Sequence, residues 1–166
     1  MRLRILDAET YFDREYNLQR LDPASYILDP RFELIGLAVK EPGIAAYWIE
    51  GPDVPAFFAS LDPNDTMSAS HNALFDNCLW SYRYGFVPRL MVDTLGVSRA
   101  VLSLKSNSLE SVVEHLGLSA KGKEIHQAIG MHLADLKARP EFYRTYINPH
   151  SPDRVLNFGA VFAIQI

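Results

Sequence analysis

Leu3-Arg4-Ile5-Leu6-Asp7-Ala8-Glu9-Thr10 ends an apolar run with two carboxylates. Leu3, Ile5 and Leu6 predict a short buried strand, and residues two apart on a strand share a face, so Asp7 and Glu9 stand side by side. Two like charges held together cost free energy unless one is protonated or a cation lies between them. The pair therefore points to a raised pKa or to a metal. At the carboxyl end of a sheet strand it offers hard oxygen donors of the kind that suit Mg²⁺ or Mn²⁺. The same spacing also occurs at ordinary solvated strand ends, and a second acidic element is needed to separate the two readings.

Outward from this stretch, residues 11–31 mix polar and aromatic side chains. Asp22-Pro23 and Asp29-Pro30 predict breaks, so an irregular excursion is expected there. Phe32 to Val39 predicts a strand, Glu41-Pro42-Gly43 a turn and Ile44 to Ile49 the second arm of a hairpin. Gly51-Pro52-Asp53 opens a short helix through Phe57 and Phe58. Met67 to Ser70 predicts another strand and Ala73 to Tyr84 a helix closed by Gly85. The apolar face expected for that helix is Leu74, Phe75, Cys78, Leu79 and Tyr82. Pro88 to Val92 predicts a strand, with Asp93 as the N-cap of the following helix. Asn107 and Glu110 stand in capping-box spacing before Leu109, Val112, Val113 and Leu116, and Gly117 ends that helix. Residues 119–130 predict a loop or broken helix, and Pro140 begins a short helix through Tyr146. This order gives an α/β fold with a mixed sheet flanked by helices, in which sites gather at strand ends.

The 166 residues are 48% hydrophobic, enough for one sizeable core and one domain. A single cysteine, Cys78, excludes an intramolecular disulfide and suits a reducing cytoplasm. No apolar run reaches membrane-spanning length, and a carboxylate interrupts the N-terminus before a signal-peptide core could form. The net charge is −4, unevenly spread: residues 1–65 carry 12 acids and 6 bases, residues 66–166 carry 8 and 10. An acidic front and a mildly basic rear would suit a phosphate backbone approaching bound cations, and would equally suit an ordinary solvated surface.

The second acidic element is His71-Asn72-Ala73-Leu74-Phe75-Asp76. Asn72 and Asp76, four apart, share one face of a first helical turn, where the helix dipole favours an ionised carboxylate that can ligate a metal. The plain alternative is an Asn72 N-cap and a solvated first-turn acid. Four histidines, His71, His115, His126 and His132, lack ligand spacing and are expected on the surface or in loops. Trp48, Trp80 and most Tyr and Phe are expected in the core.

Together these elements resemble the DEDD superfamily of 3'-5' exonucleases with a ribonuclease-H-like fold, most closely the proofreading domain of phage-type family A DNA polymerases. Asp7-Ala8-Glu9-Thr10 matches the first exonuclease motif and Asn72-Ala73-Leu74-Phe75-Asp76 the second. Asp29 to Gly36, Asp93-Thr94-Leu95, Ser108-Leu109-Glu110, Leu116-Gly117-Leu118 and Lys121-Gly122 are similar to the phage version as well. The resemblance covers residues 3–146. It implies a ribonuclease-H-like mixed sheet and two divalent cations, Mg²⁺ or Mn²⁺, held by four carboxylates of which Asp7, Glu9 and Asp76 are three. It further implies that Thr10, Asn72 and Phe75 meet a single-stranded DNA 3' end, that a DNA polymerase is a partner, and that the role is proofreading in phage-type DNA replication.

The third motif departs from the pattern. Tyr146 stands where the family's tyrosine is expected, but four residues on is His150 rather than an aspartate. Asp153, beyond Pro149 and Pro152, is the one remaining acid for a fourth ligand, and the prolines oppose a continuing helix. Residues 147–166 do not resemble the family and read as a divergent tail, as if the chain were truncated or diverted. The expected activity is release of nucleoside monophosphates from DNA 3' ends without a polymerase domain. The alternatives are a weak or inactive module of the same fold that binds nucleic-acid ends, and a related nuclease acting on RNA.

Overall fold

The computed structural model describes residues 1–117 and 127–147. The chain runs through β1 (Arg2–Thr10), α1 (Pro23–Leu28), a hairpin of β2 (Leu34–Lys40) and β3 (Tyr47–Glu50), then α2 (Val54–Ala59), β4 (Thr66–Ser70), α3 (Ala73–Tyr84) and β5 (Leu90–Asp93). It continues in α4 (Thr94–Val101), α5 (Leu109–His115), α6 (Leu133–Lys137) and α7 (Pro140–Ile147). The five strands form one mixed sheet in the order β3-β2-β1-β4-β5. β2 and β3 pair antiparallel on one side of β1, and β4 and β5 pair parallel on the other. The expected α/β mixed sheet is thus observed, with the acid-bearing strand at its centre.

Strand alternation divides the core between the two faces of the sheet. Leu6, Leu37 and Val39 pack with Tyr26 and Ile27 of α1, Val54 and Phe58 of α2, and Leu79 and Trp80 of α3. The opposite face of β1 carries Asp7 and Glu9 toward a smaller cluster of Ile35, Ala128, Leu133, Leu136 and Tyr146. The pairing of β1 with β2 shifts between Glu9, opposite Gly36, and Thr10, opposite Leu34. This bulge leaves Ile35 unpaired and sends it into the second cluster. Gly36 is required where it stands, because a Cβ there would lie 2.2 Å from the Trp48 ring and 2.6 Å from the Ile49 carbonyl.

Several expectations change on contact with the fold. Residues 23–28 form a helix inside the stretch read as irregular: Asp22 caps it by accepting from Ser25 N–H at 3.0 Å, and Pro23 occupies a first-turn position that needs no amide hydrogen. The second hairpin arm begins at Tyr47 rather than Ile44. The α3 range is as predicted, with Gly85 in the left-handed region at φ 62° closing it, but its buried face is Ala73, Asp76, Leu79 and Trp80. Leu74 and Tyr82 are exposed. Ser108, not Asn107, caps α5. Asp93 caps α4 as expected, accepting from Leu95 N–H at 3.0 Å. Among the described residues no helix is long and apolar enough to cross a membrane. The proposed broken helix at 119–130 lies largely outside the described residues, as do Asp153 and the tail beyond Ile147.

Candidate active site

Asp7 and Glu9 lie in the last half of β1, and Glu9 is buried although it is an acid. Asp76 approaches from the first turn of α3 and is also buried. Burial first, and then the charge of Asp7, lift the Asp76 carboxyl well above the usual carboxylate range, and Glu9 adds to the rise. Hydrogen bonds from the Ala8 backbone N–H and the Ser70 hydroxyl act in the opposite direction. The fold therefore brings the three predicted acids into one electrostatic group, with Asp76 favouring its proton. Asp76 is held there by β1 and β4 rather than by its own helix.

The start of α3 is set from outside. Asn72 adopts the left-handed conformation at φ 66°, and its side chain makes no cap. Instead the Asp93 carboxylate accepts from the N–H groups of Asn72 at 2.9 Å and Ala73 at 3.2 Å. The same Oδ1 also receives Leu95 N–H, so one oxygen serves the first turns of α3 and α4. Asn72 thus stands at the N-cap position, as its plain reading expects, but its exposed side chain makes no capping bond, and the Asp93 carboxylate meets the first-turn N–H groups instead.

Tyr146, from α7, is buried and donates a long hydrogen bond of 3.4 Å to Glu9 Oε2. Burial, followed by the charge of Glu9, raises its phenol pKa, so the hydroxyl keeps its proton. The helical pair that carries Tyr146 is fastened to the sheet by polar contacts. His132 stacks on Tyr11 with ring centroids 4.1 Å apart, and its Nδ1 meets Glu33. Glu33 also accepts Leu133 N–H at 3.1 Å, Lys137 pairs with Glu50 at 2.8 Å, and Trp48 Nε1 donates to the Tyr143 hydroxyl at 3.2 Å. The Thr10 hydroxyl contacts Tyr26, and Phe75 packs edge-on against the same ring.

Sequence reasoning missed Ser70 and Tyr26, and it missed the second role of Asp93 at the start of α3. Ser70 was legible as the last small residue of its strand before His71, but nothing in the sequence pairs it with Asp76. His71 lies in the turn between β4 and α3, within the expectation of a surface or loop position, but it is half-buried, donates through Nε2 to the Asn107 carbonyl at 3.1 Å, and has Nδ1 3.0 Å from the Thr94 hydroxyl. Burial lowers its pKa.

The donor set is all oxygen and crowded with like charge, which suits a hard divalent cation in kind. Among the described residues, however, no group of three or more His, Cys, Asp or Glu side chains is gathered tightly enough to hold a metal ion. The three acids nevertheless act on one another electrostatically, with Asp7 and Glu9 both raising the Asp76 pKa.

No protein-family model and no curated protein matches the sequence. Solved structures do match the fold. A family B DNA polymerase from the archaeon Pyrobaculum calidifontis aligns over 99% of this chain with a TM-score of 0.62 at 18% identity. Escherichia coli RNase D, an exoribonuclease involved in structured RNA processing, aligns over 95% with a TM-score of 0.55 at 16% identity. Brucella melitensis NrnC with bound Mg²⁺ aligns over 96% with a TM-score of 0.52 at 16% identity. The chain spans 24% of the polymerase, 40% of the RNase D and 81% of the NrnC chain. At these identities the likeness establishes the fold.

Proposed function

We propose that this chain is a metal-dependent 3'-5' exonuclease that removes nucleoside monophosphates from single-stranded DNA ends. The observation that carries the reading is Asp76: an acid buried beneath the charges of Asp7 and Glu9, where a divalent cation would relieve the repulsion. That a DNA polymerase, an exoribonuclease and a Mg²⁺-bound protein share the fold supports it. The proofreading character, the phage family A affinity, the preference for DNA and a polymerase partner rest on the motif match at Asp7 to Thr10 and Asn72 to Asp76.

Asp7, Glu9 and Asp76 would hold the cations. When bound, such ions activate water and stabilise the charge that develops on a phosphodiester under attack. The remaining work belongs to the protein. Tyr146, protonated and donating to Glu9, restrains that carboxylate. Asn72 and Phe75 shape the path of the strand, and Thr10 lies beside the terminal nucleotide. Phosphate contacts and stacking supply little sequence preference. Asp153 is the candidate for a fourth ligand.

One observation favours a second reading, an end-binding module that does not cut: no metal-holding group is preassembled among the described residues. Digestion of 5'-labelled single-stranded DNA with Mg²⁺, with Mn²⁺ and with EDTA separates the two. A ladder shortening from the 3' end, present with metal and absent in Asp76→Asn, is expected. Binding without any metal-dependent shortening would leave the module reading, and a faster loss of RNA of equal length would reassign the substrate.

A further inference from the structure

Two cavities of about 340 Å³ and 390 Å³ adjoin at the end of α3, where Arg83 and Tyr84 line both. A second wall is one continuous stretch, the turn Gly51–Asp53 and the helix α2 that follows it: Gly51 and Pro52 line the first cavity, Pro55, Phe58 and Ala59 the second. The two cavities therefore form one groove between α2 and the end of α3. Phe58 and Phe86, which line the second cavity, belong to the core on the face of the sheet opposite Asp7 and Glu9, and none of the three site acids lines either cavity.

The walls are preset. Pro52, Pro55 and Pro63 stand exposed along the groove, and a proline ring fixes φ. Gly51 is seated so closely on the start of β2 that a Cβ would lie 1.7 Å from the Leu34 carbonyl oxygen. Tyr84 stacks on Phe58 with ring centroids 5.1 Å apart. A groove fixed in this way loses little conformational freedom when a guest enters.

Arg83 is the one cation among the residues that line the groove. Its guanidinium lies 4.5 Å from the Phe32 ring centroid, and its Nη2 donates to the Ile27 carbonyl and lies 3.5 Å from that of Asp29. Among the described residues no carboxylate pairs with it. Burial keeps the neighbouring Tyr84 phenol protonated, a neutral donor beside the cation. Glu33, the one acid lining the groove, stands in the first cavity and is committed to α6, where it accepts Leu133 N–H at 3.1 Å and meets His132. A guest anion is thus repelled from the first cavity, finds no donor among the largely apolar walls of the second, and is accepted only between them, at Arg83. Apolar, acidic and apolar side chains face one side of an extended peptide when they occupy alternate positions. A nucleic-acid strand would bring a phosphate at every step to a groove with a single cation.

We propose that the groove between α2 and the end of α3 docks an extended segment of a partner protein, with an acidic residue on Arg83 and an apolar residue two positions to either side filling each cavity.

The test is fluorescence anisotropy with three end-capped, fluorescein-labelled peptides. The first, Gly-Leu-Thr-Glu-Thr-Phe-Gly, carries the pattern; its twin has Gln in place of Glu; the third, Gly-Leu-Phe-Thr-Thr-Glu-Gly, keeps the composition but moves the acid from the centre. The full chain should bind the first with a dissociation constant of roughly 10–100 μM, the weak affinity expected of so short a segment. It should prefer that peptide to either of the others by roughly five- to tenfold, the scale of a charge-assisted hydrogen bond discounted for its exposure. Arg83→Gln should bring the Glu peptide down to the level of its Gln twin, and Arg83→Lys should keep part of the preference. Ala59→Phe, at an exposed position that lines the second cavity, should weaken both twins alike. Equal binding of all three peptides by the wild type, or no binding of any, overturns the proposal. So does an Arg83→Gln variant that keeps the preference, or an Ala59→Phe variant that binds as well as the wild type. Displacement of the peptide by a single-stranded oligodeoxynucleotide, lost in Arg83→Gln, would reassign the groove to a nucleic-acid strand and equally overturn it. If Arg83→Gln fails to fold by circular dichroism, the wild-type preference and the Ala59→Phe variant decide.

Discussion

Asp93 Oδ1 lies 2.9 Å from the backbone nitrogen of Asn72, so the helix that carries Asp76 is capped by the last residue of a different strand. The same oxygen caps α4 through Leu95. The start of the helix that bears Asp76 thus depends on a carboxylate 17 residues further along the chain, which no local pattern in His71 to Asp76 contains.

Asp93→Ala should therefore weaken two helix starts at once. Loss of one N-cap typically costs about 1 kcal/mol, so a loss of ~2–3 kcal/mol is expected in urea unfolding. Asp93→Asn should cost about half as much, because its amide oxygen still accepts. A loss confined to a few tenths of a kcal/mol would mean that the α3 start is held by its packing alone.

Asp76 sets a pH dependence whose sign follows from its raised pKa. In the unfolded chain its carboxyl ionises in the ordinary range near 4, while in the fold it retains its proton to higher pH. The unfolded state then binds fewer protons, so without divalent cation stability falls as pH rises from about 4 through the raised value. Asp76→Asn should flatten that part of the curve and melt above the wild type at pH 7 in EDTA. Melting temperatures across pH 4–8 for the two proteins check this. Parallel curves would show that Asp76 does not carry the strain.

Asp7→Asn removes one of the charges that acts on Asp76. It should abolish metal-dependent cleavage while leaving the fold as stable or slightly more stable in EDTA. Thermal melts with and without Mg²⁺ give the comparison: the wild type should gain more from the ion than the variant does. Equal gains would reduce Asp7 and Glu9 to a strand end.

Gly36→Ala tests the support beneath Glu9. Its Cβ would fall within 2.6 Å of both the Trp48 ring and the Ile49 backbone, so ring and strand must both move. A destabilisation of ~1–3 kcal/mol is expected, with a shift in Trp fluorescence. Trp48→Leu in the Gly36→Ala background should recover part of the loss. No recovery would place the conflict in the β2–β3 backbone.

The sheet, the range of α3 and the acidic pair were legible because they rest on local signals: apolar runs, a glycine stop and two-residue spacing. Other features depended on information that is not local. Pro23 reads as a breaker or as a first-turn residue depending on whether Asp22 turns to cap it, and only the packed Tyr26 and Ile27 settle that. Leu74 and Tyr82 satisfy the helical apolar period, yet the buried side of α3 is the one bearing Asp76, because Ala8 and Ser70 anchor that acid inward. Asp7, Glu9 and Asp76, which the structure brings into electrostatic contact, were legible from residue type and spacing, whereas the contacts of Ser70, Asp93 and Tyr26 join distant segments. Asp93 was read as the cap of the helix that follows it and as part of the Asp93-Thr94-Leu95 match, not as a cap for α3.

The contact between Glu9 and Tyr146 closes a span of 137 residues. Chain closure over such a separation carries an entropic cost that nearer pairings do not, and topology of this kind slows the steps that complete a fold. The hairpin beside β1 and the parallel pairings with β4 form over shorter spans and create the surface on which α7 lands. In refolding, α7 should therefore seat after the sheet exists. Because Trp48 receives Tyr143 at that moment, its emission should change in a later phase than the far-ultraviolet circular dichroism. The acidic group would thus gain its tyrosine last, as the finishing event of folding rather than its nucleus.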